Sequence, residues 1–138
     1  MSLEENKAIV HRHMEALDKR NVDAAAAECA PSAIWHGFGP GPLNVEAWRG
    51  AIAGFLSAFP DSRFPTDAIL AEGDQVAVRH SFRGTHNGTF QGIPPTGKPV
   101  VVPTIVIFRV ADGRIAETWV NADVLGLMMQ IGAIPAPG

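Results

Sequence analysis

The sequence predicts an α+β domain in which helices come first and strands follow. Three observations carry this expectation. Apolar residues recur at helical spacing in the stretches before residue 60. Beyond it the period shortens to two, as in Gln75 to Arg83, where Val76, Val78, His80 and Phe82 share one side. Helices and strands are segregated rather than alternating, which argues against a doubly wound α/β sheet. The expected architecture is a cone: a strongly curved antiparallel sheet, three N-terminal helices packed on its concave face, and a short C-terminal helix. Such a cone encloses a pocket.

The elements follow in order. Ser2 to Arg20 reads as a helix, with Ser2 as N-cap and Glu5 placed to complete a capping box. Leu3, Val10, Met14 and Leu17 form its apolar stripe, which leaves His11 and His13 on the solvated flanks. Asn21 caps a short helix through Glu28, which Pro31 ends. Ala33 to His36 is a short strand, and Gly37 to Pro42 a loop. Asn44 caps a third helix, Val45 to Phe59, whose broad face carries Trp48, Ile52, Phe55, Leu56 and Phe59.

Phe64 to Glu72 and Gln75 to Arg83 are strands joined at Gly73-Asp74, with Arg79 and Arg83 opposite the apolar side. Gly84 to Gly97 is irregular, with four glycines and two prolines. His86 in this connection reads as structural or surface. Lys98 to Val110 is a long strand, apolar on both faces, so one face can serve the pocket and the other a subunit interface. Pro99 and Pro103 within it imply an edge position or bulges. Ala111-Asp112-Gly113 turns the chain into a final strand, and Val124 to Ile131 forms the terminal helix.

One domain accounts for all 138 residues, since the chain is long enough for one core and short for two. Apolar residues make up 46% and charged residues 18%. The net charge is -3, and the 11 basic residues are scattered. Nucleic acid and anionic membrane are therefore poor partners. Cys29 is the only cysteine, so neither a disulfide framework nor a cysteine metal cluster arises. A polar N-terminus and short apolar runs predict a cytoplasmic protein with no membrane span. The high apolar content predicts a homodimer or higher homo-oligomer.

Asp123 is the carboxylate set between core-type residues at the junction of the last strand and last helix. A charge there is costly unless partnered or used. It reads either as a general base for a carbon acid or as the N-cap of the helix that follows. His80 stands among apolar strand residues and His36 beside Trp35 at the expected mouth of the cone; each is a candidate to hold an oxygen. Phe55, Phe59 and Phe82 are candidates for an apolar wall with Trp35. Trp119 and Asn121 share parity with Glu117 and Asp123 and are expected to line the cavity with them. Glu117 reads first as an ion-pair partner of Arg79, Arg83 or Arg109. No compact metal-ligand spacing occurs within the sheet, so no metal is expected, and the absence of a phosphate loop or nucleophile elbow argues against phosphate binding and nucleophilic catalysis.

The runs FPDSRF, AEGDQVAVRHSFRGTHNGTFQGIPPTGKPV and FRVADGRIAETWVNADVLGLMMQIGAIP resemble the SnoaL-like polyketide cyclases, or predicted ester cyclases, of the nuclear-transport-factor-two-like superfamily. The resemblance implies the same cone-shaped fold. It also implies a cofactor-independent aldol cyclisation in which the aspartate of a D-x-L-x-L element removes a proton from carbon; Asp123 matches that position. Asn121 and Ala122 stand where the family often has Trp or Glu, a departure that bears on the substrate. The implied ligand is a small hydrophobic carbonyl compound. Isomerisation or dehydration from the same deprotonation, epoxide-type hydrolysis, and ligand binding without chemistry are the alternatives on this fold.

Overall fold

The computed structural model of the chain describes residues 2–135. The order is α1 (Leu3–Asp18), α2 (Val22–Ala27), β1 (Cys29–His36), α3 (Val45–Ala58), β2 (Thr66–Glu72), β3 (Gln75–Thr85), β4 (Pro99–Ala111), β5 (Arg114–Ala122) and α4 (Val124–Gln130). Each helix starts on the cap its sequence supplies. Ser2 and Glu5 form a reciprocal capping box on α1. Asn21, Asn44 and Asp123 accept from backbone N–H groups of the first turns of α2, α3 and α4. Each such cap contributes about 1 kcal/mol by satisfying amides the helix cannot.

The five strands make one sheet in the order β1-β5-β4-β3-β2. β2 to β5 form the antiparallel meander that the alternating pattern and tight turns require. β1 departs from the expectation of a wholly antiparallel sheet: it joins β5 in parallel, with Trp35 beside Thr118 and His36 beside Trp119. No hairpin links these two strands, so no tight turn dictates their relative direction.

β4 is also not the edge strand its prolines suggest, but the centre of the sheet. Pro99 lies at the start of the strand, and Pro103 just beyond the last β4–β5 pair, Thr104–Ala122. There β5 has already left for α4, and Asp123 N donates to the Pro103 carbonyl at 3.1 Å. The donor that proline lacks is missing where no ladder needs it.

β4 alternates strictly. Val100, Val102, Thr104, Val106, Phe108 and Val110 are buried on the concave face, whereas Val101, Ile105 and Ile107 are exposed on the other. α1 and α3 cover the concave face, with Ile9, Val10, Met14 and Leu17 from one and Trp48 and Ile52 from the other in the core. Trp35 and Trp48 stack at 4.6 Å with planes 8° apart, a pair contributing about 1 kcal/mol beyond its burial. The connection after β3 folds back onto the end of α3, where Asn87 and Gly88 N–H groups donate to the Ala58 carbonyl. Any side chain at Gly88 would collide with the Ser57 and Ala58 backbone. His86 is fully buried there and accepts from the Thr96 N–H, the structural role its sequence suggests.

Candidate functional site

Between the two helices and the concave face lies a cavity of about 110 Å³. Its walls are mostly apolar and include the rings of Trp35 from β1, Trp48 and Phe55 from α3, Phe82 from β3 and Phe108 from β4, with Phe64 preceding β2. The volume is below the ~300–1,000 Å³ of sites for drug-sized ligands and near that of a cavity that takes a single apolar ring. The polar side chains on its lining are His13, His80, Thr104 and Thr118.

His80 is carried inward by the parity of β3, directly opposite Thr104 on β4. It is only 7% exposed, and its Nδ1 has no protein partner among the described residues. Burial pushes its pKa below the ordinary histidine value, opposed in part by the Ser81 backbone and then by the Asp67 charge, so the neutral ring is favoured. Thr118 lies opposite Phe108 on β5, and its buried Oγ1 is likewise without a partner. Leaving a buried polar atom unpaired costs about 1–3 kcal/mol, and Asn6 Oδ1, Ser62 Oγ and His86 Nε2, away from the cavity, are in the same condition.

His13 is the residue that sequence reasoning missed. It is not solvated but 1% exposed, stacked on Trp48 at 5.6 Å and edge-on to Phe108 at 5.4 Å. The readable signal was its spacing, four residues after Ile9 and four before Leu17, both of which are buried. Burial drives its pKa to about 4, so the ring is neutral, and its Nδ1 lies 2.8 Å from the Ala25 carbonyl. A carbonyl only accepts, so Nδ1 carries the proton. Cys29 sits beside it, with burial pushing the thiol up to about 12 and leaving it inert.

The structure therefore gathers four of the anticipated residues, His80, Trp35, Phe55 and Phe82, around one cavity. Phe59 stands behind this wall, packed on Phe82, His86 and Phe90. Trp119 and Asn121 do not line it. The inward residues of β5 are Thr118, Val120 and Ala122, which turns the opposite parity to the outer face.

His36 is on that outer face too. Its Nε2 lies 2.7 Å from Glu117 Oε2 and its ring stacks on Trp119, while Arg109 donates to Glu117 Oε1. The expected ion pair of Glu117 is thus with Arg109, four residues after the outward Ile105 on β4. The His36 bond, helped by Arg109, holds the Glu117 carboxyl below the usual carboxylate range.

Asp123 stands between Ala122 and Val124, both of which line the cavity, but its own side chain is exposed. Its Oδ1 accepts from Gly126 N at 2.9 Å as the N-cap of α4. A Cβ at position 126 would overlap the carboxylate, so the glycine in this helix is what lets the cap seat.

Comparison with known proteins follows the same lines. The family model described as SnoaL-like polyketide cyclase matches residues 7–131. AclR, a candidate hydroxylase from Streptomyces galilaeus, shares 26% identity over 99% of this chain and 87% of its own, with a TM-score of 0.91. IdmH, a candidate polyketide cyclase from Streptomyces antibioticus, is 32% identical over 92% of this chain and 98% of its own, at a TM-score of 0.81. TsrD from Streptomyces laurentii is 26% identical over 97% and 99%, at 0.85. No curated protein matches the chain.

Proposed function

The chain belongs to the SnoaL-like polyketide cyclase family, and from that premise we propose that it is a cofactor-independent cyclase-type enzyme acting on a small hydrophobic carbonyl compound. The observation that carries this is His80, a neutral histidine in an apolar cavity with Nδ1 unpaired. A neutral imidazole can donate to a carbonyl oxygen as negative charge develops on it, and in a dry cavity that bond is strong. The reaction so favoured is removal of a proton from the carbon beside that carbonyl. The resulting enolate then closes a ring by attack on a second carbonyl, isomerises, or expels a hydroxyl group.

Asp123 is the base in this reading. Its neighbours on both sides line the cavity, and only one of its two oxygens is used by the cap. A ligand filling the cavity mouth would displace the water that otherwise solvates the second.

Proton exchange in heavy water tests this directly, since it needs no knowledge of the cyclised product. Wild-type protein is expected to exchange the α-protons of a small β-keto ester, and Asp123→Asn to do so at least ~10²-fold more slowly. Asparagine caps helices about as well as aspartate, so the variant keeps its fold. Exchange by Asp123→Asn near the wild-type rate removes the assignment of the base.

Binding without turnover is the second reading. It is favoured by a specific observation, that among the described residues no carboxylate lines the cavity. Wild-type protein that binds simple ketones yet exchanges no α-proton supports it. The outer strip of Val101, Ile105 and Ile107 next to Trp119 supports self-association through the sheet, because contiguous exposed apolar surface is what subunit contacts cover.

A further inference from the structure

His80 and His13 occupy different ends of the cavity. His80 is registered against Thr104, whereas Phe108, the neighbour of His13, lies four residues further along β4, roughly 13 Å at the rise of a strand. Thr118 pairs with Phe108 from the β5 side, so it belongs to the His13 end. The two ends also differ in bonding character.

At the His13 end the chemistry is set by the protein. Nδ1 gives its proton to the Ala25 carbonyl, which leaves Nε2 of a neutral ring as an acceptor. A ketone or ester oxygen cannot satisfy an acceptor. Thr118 Oγ1, 99% buried by residue and unpaired, offers one donor and spare acceptor capacity. An acceptor and a hydroxyl donor that both neighbour Phe108 at one end of the cavity are together complementary to a group that both gives and takes a hydrogen bond. Among the functions of a compound of carbon, hydrogen and oxygen that group is O–H.

We infer that the end of the cavity formed by α1 and the β4–β5 pair is a hydroxyl-recognition subsite, in which His13 Nε2 accepts from, and Thr118 Oγ1 donates to, an O–H on the ligand. The ligand class is then a small hydroxy-carbonyl compound with its hydroxyl or enol at this end and its carbonyl at His80. The cavity volume of about 110 Å³ restricts the enclosed part to about one ring. This inference rests on the carbonyl-binding role given to His80 above, and it adds the second point of recognition that makes binding orientation-specific.

The test uses the full chain and four probes: acetophenone and its 2-, 3- and 4-hydroxy derivatives, titrated calorimetrically. At least one hydroxy isomer is expected to bind wild-type protein about tenfold more tightly than acetophenone, the worth of a well-made buried hydrogen bond. Thr118→Val and His13→Phe are each expected to cut that advantage to within about twofold while leaving acetophenone affinity unchanged. Thr118→Val is near-isosteric and removes an unpaired atom, so it folds even where His13→Phe, which strips Ala25 of its partner, does not. If acetophenone binds wild-type protein and no isomer binds better, water occupies the subsite and the inference is overturned while the carbonyl site stands. An advantage that survives both variants overturns it as well. Failure of all four probes to bind overturns this inference together with the cavity's ligand-binding role.

Discussion

The two faces of the sheet hold histidines in opposite conditions. On the outer face His36, Glu117 and Arg109 meet at 2.7 to 3.3 Å, and each finds a partner in another. On the inner face His80 and Thr118 are buried with atoms left unpaired, and His13 uses one nitrogen only on the protein. A histidine on a carboxylate looks catalytic by distance, yet the outer set is half-exposed and its members are bonded to one another as an ion-pair network. The inner set lacks a carboxylate but keeps open bonding capacity in a place where water is scarce. Unpaired polar atoms on the wall of an apolar cavity, rather than proximity of charged groups, single out the inner face, although Asn6, Ser62 and His86 carry unpaired buried atoms elsewhere in the fold.

The sharpest way to break this contrast is to remove one histidine from each face. His80→Phe is expected to slow α-proton exchange of a β-keto ester by 10²-fold or more, as loss of one donor at a developing oxyanion does. His36→Phe keeps a ring on Trp119 and is expected to stay within about twofold of wild type. The reverse ranking in the same assay would place the chemistry on the outer face.

Acid titration separates the faces by stability. His13 is held neutral in the fold, at about 4 against an ordinary 6.5, while the unfolded chain takes up the proton at the higher value. Its contribution is therefore complete above pH 6.5 and is lost as pH falls from about 6.5 to about 4, by roughly 3 kcal/mol in all. His80 acts in the same direction. Glu117 behaves otherwise: its lowered carboxyl contributes stability above the ordinary 4.5, which is lost only as pH falls below it. Urea denaturation of wild type and His13→Phe at pH 7 and pH 5 is expected to show the gap between them narrowing in acid. A gap independent of pH would mean that His13 is not buried neutral.

Glu117→Gln is expected to cost about 1 kcal/mol or less at pH 7, because its partners are half-exposed and screened. A loss of several kcal/mol in thermal melts would show that this face is buried in the working protein. The smallest effect belongs to Ile105→Lys, within about 0.5 kcal/mol for the isolated fold since the side chain is 53% exposed. The same variant, run in sedimentation velocity, is expected to dissociate an oligomer built on this face. An unchanged sedimentation coefficient in both proteins assigns the strip no subunit contact.

Much of this was legible in the chain. The helix starts at Ser2, Asn21, Asn44 and Asp123 follow from local capping chemistry, and the alternation in β3 already put His80 with Val76, Val78 and Phe82. Period-two patterns state which residues share a face but not which face is inside. On β5 both parities carry apolar and polar residues, so Thr118 and Val120 could not be told from Glu117 and Trp119 until β4 and β1 paired with them. His13 lay within the buried spacing of α1, and only the neighbouring Trp48, Phe108 and Ala25 carbonyl show why a histidine is tolerated there.

Asp123 illustrates the division most plainly. Its cap follows from one aspartate before a short apolar helix, a local matter of unpaired amides. Its place between two cavity-lining neighbours, with its own side chain turned to solvent, depends on where β5 ends against Pro103 of β4, twenty residues before Asp123. By itself the sequence determined element order, caps and residue parity, because these rest on contacts within a few residues. The tertiary structure alone decided which face encloses the cavity and which polar atoms are left unpaired, because burial is a property of surfaces that meet only when distant strands pair.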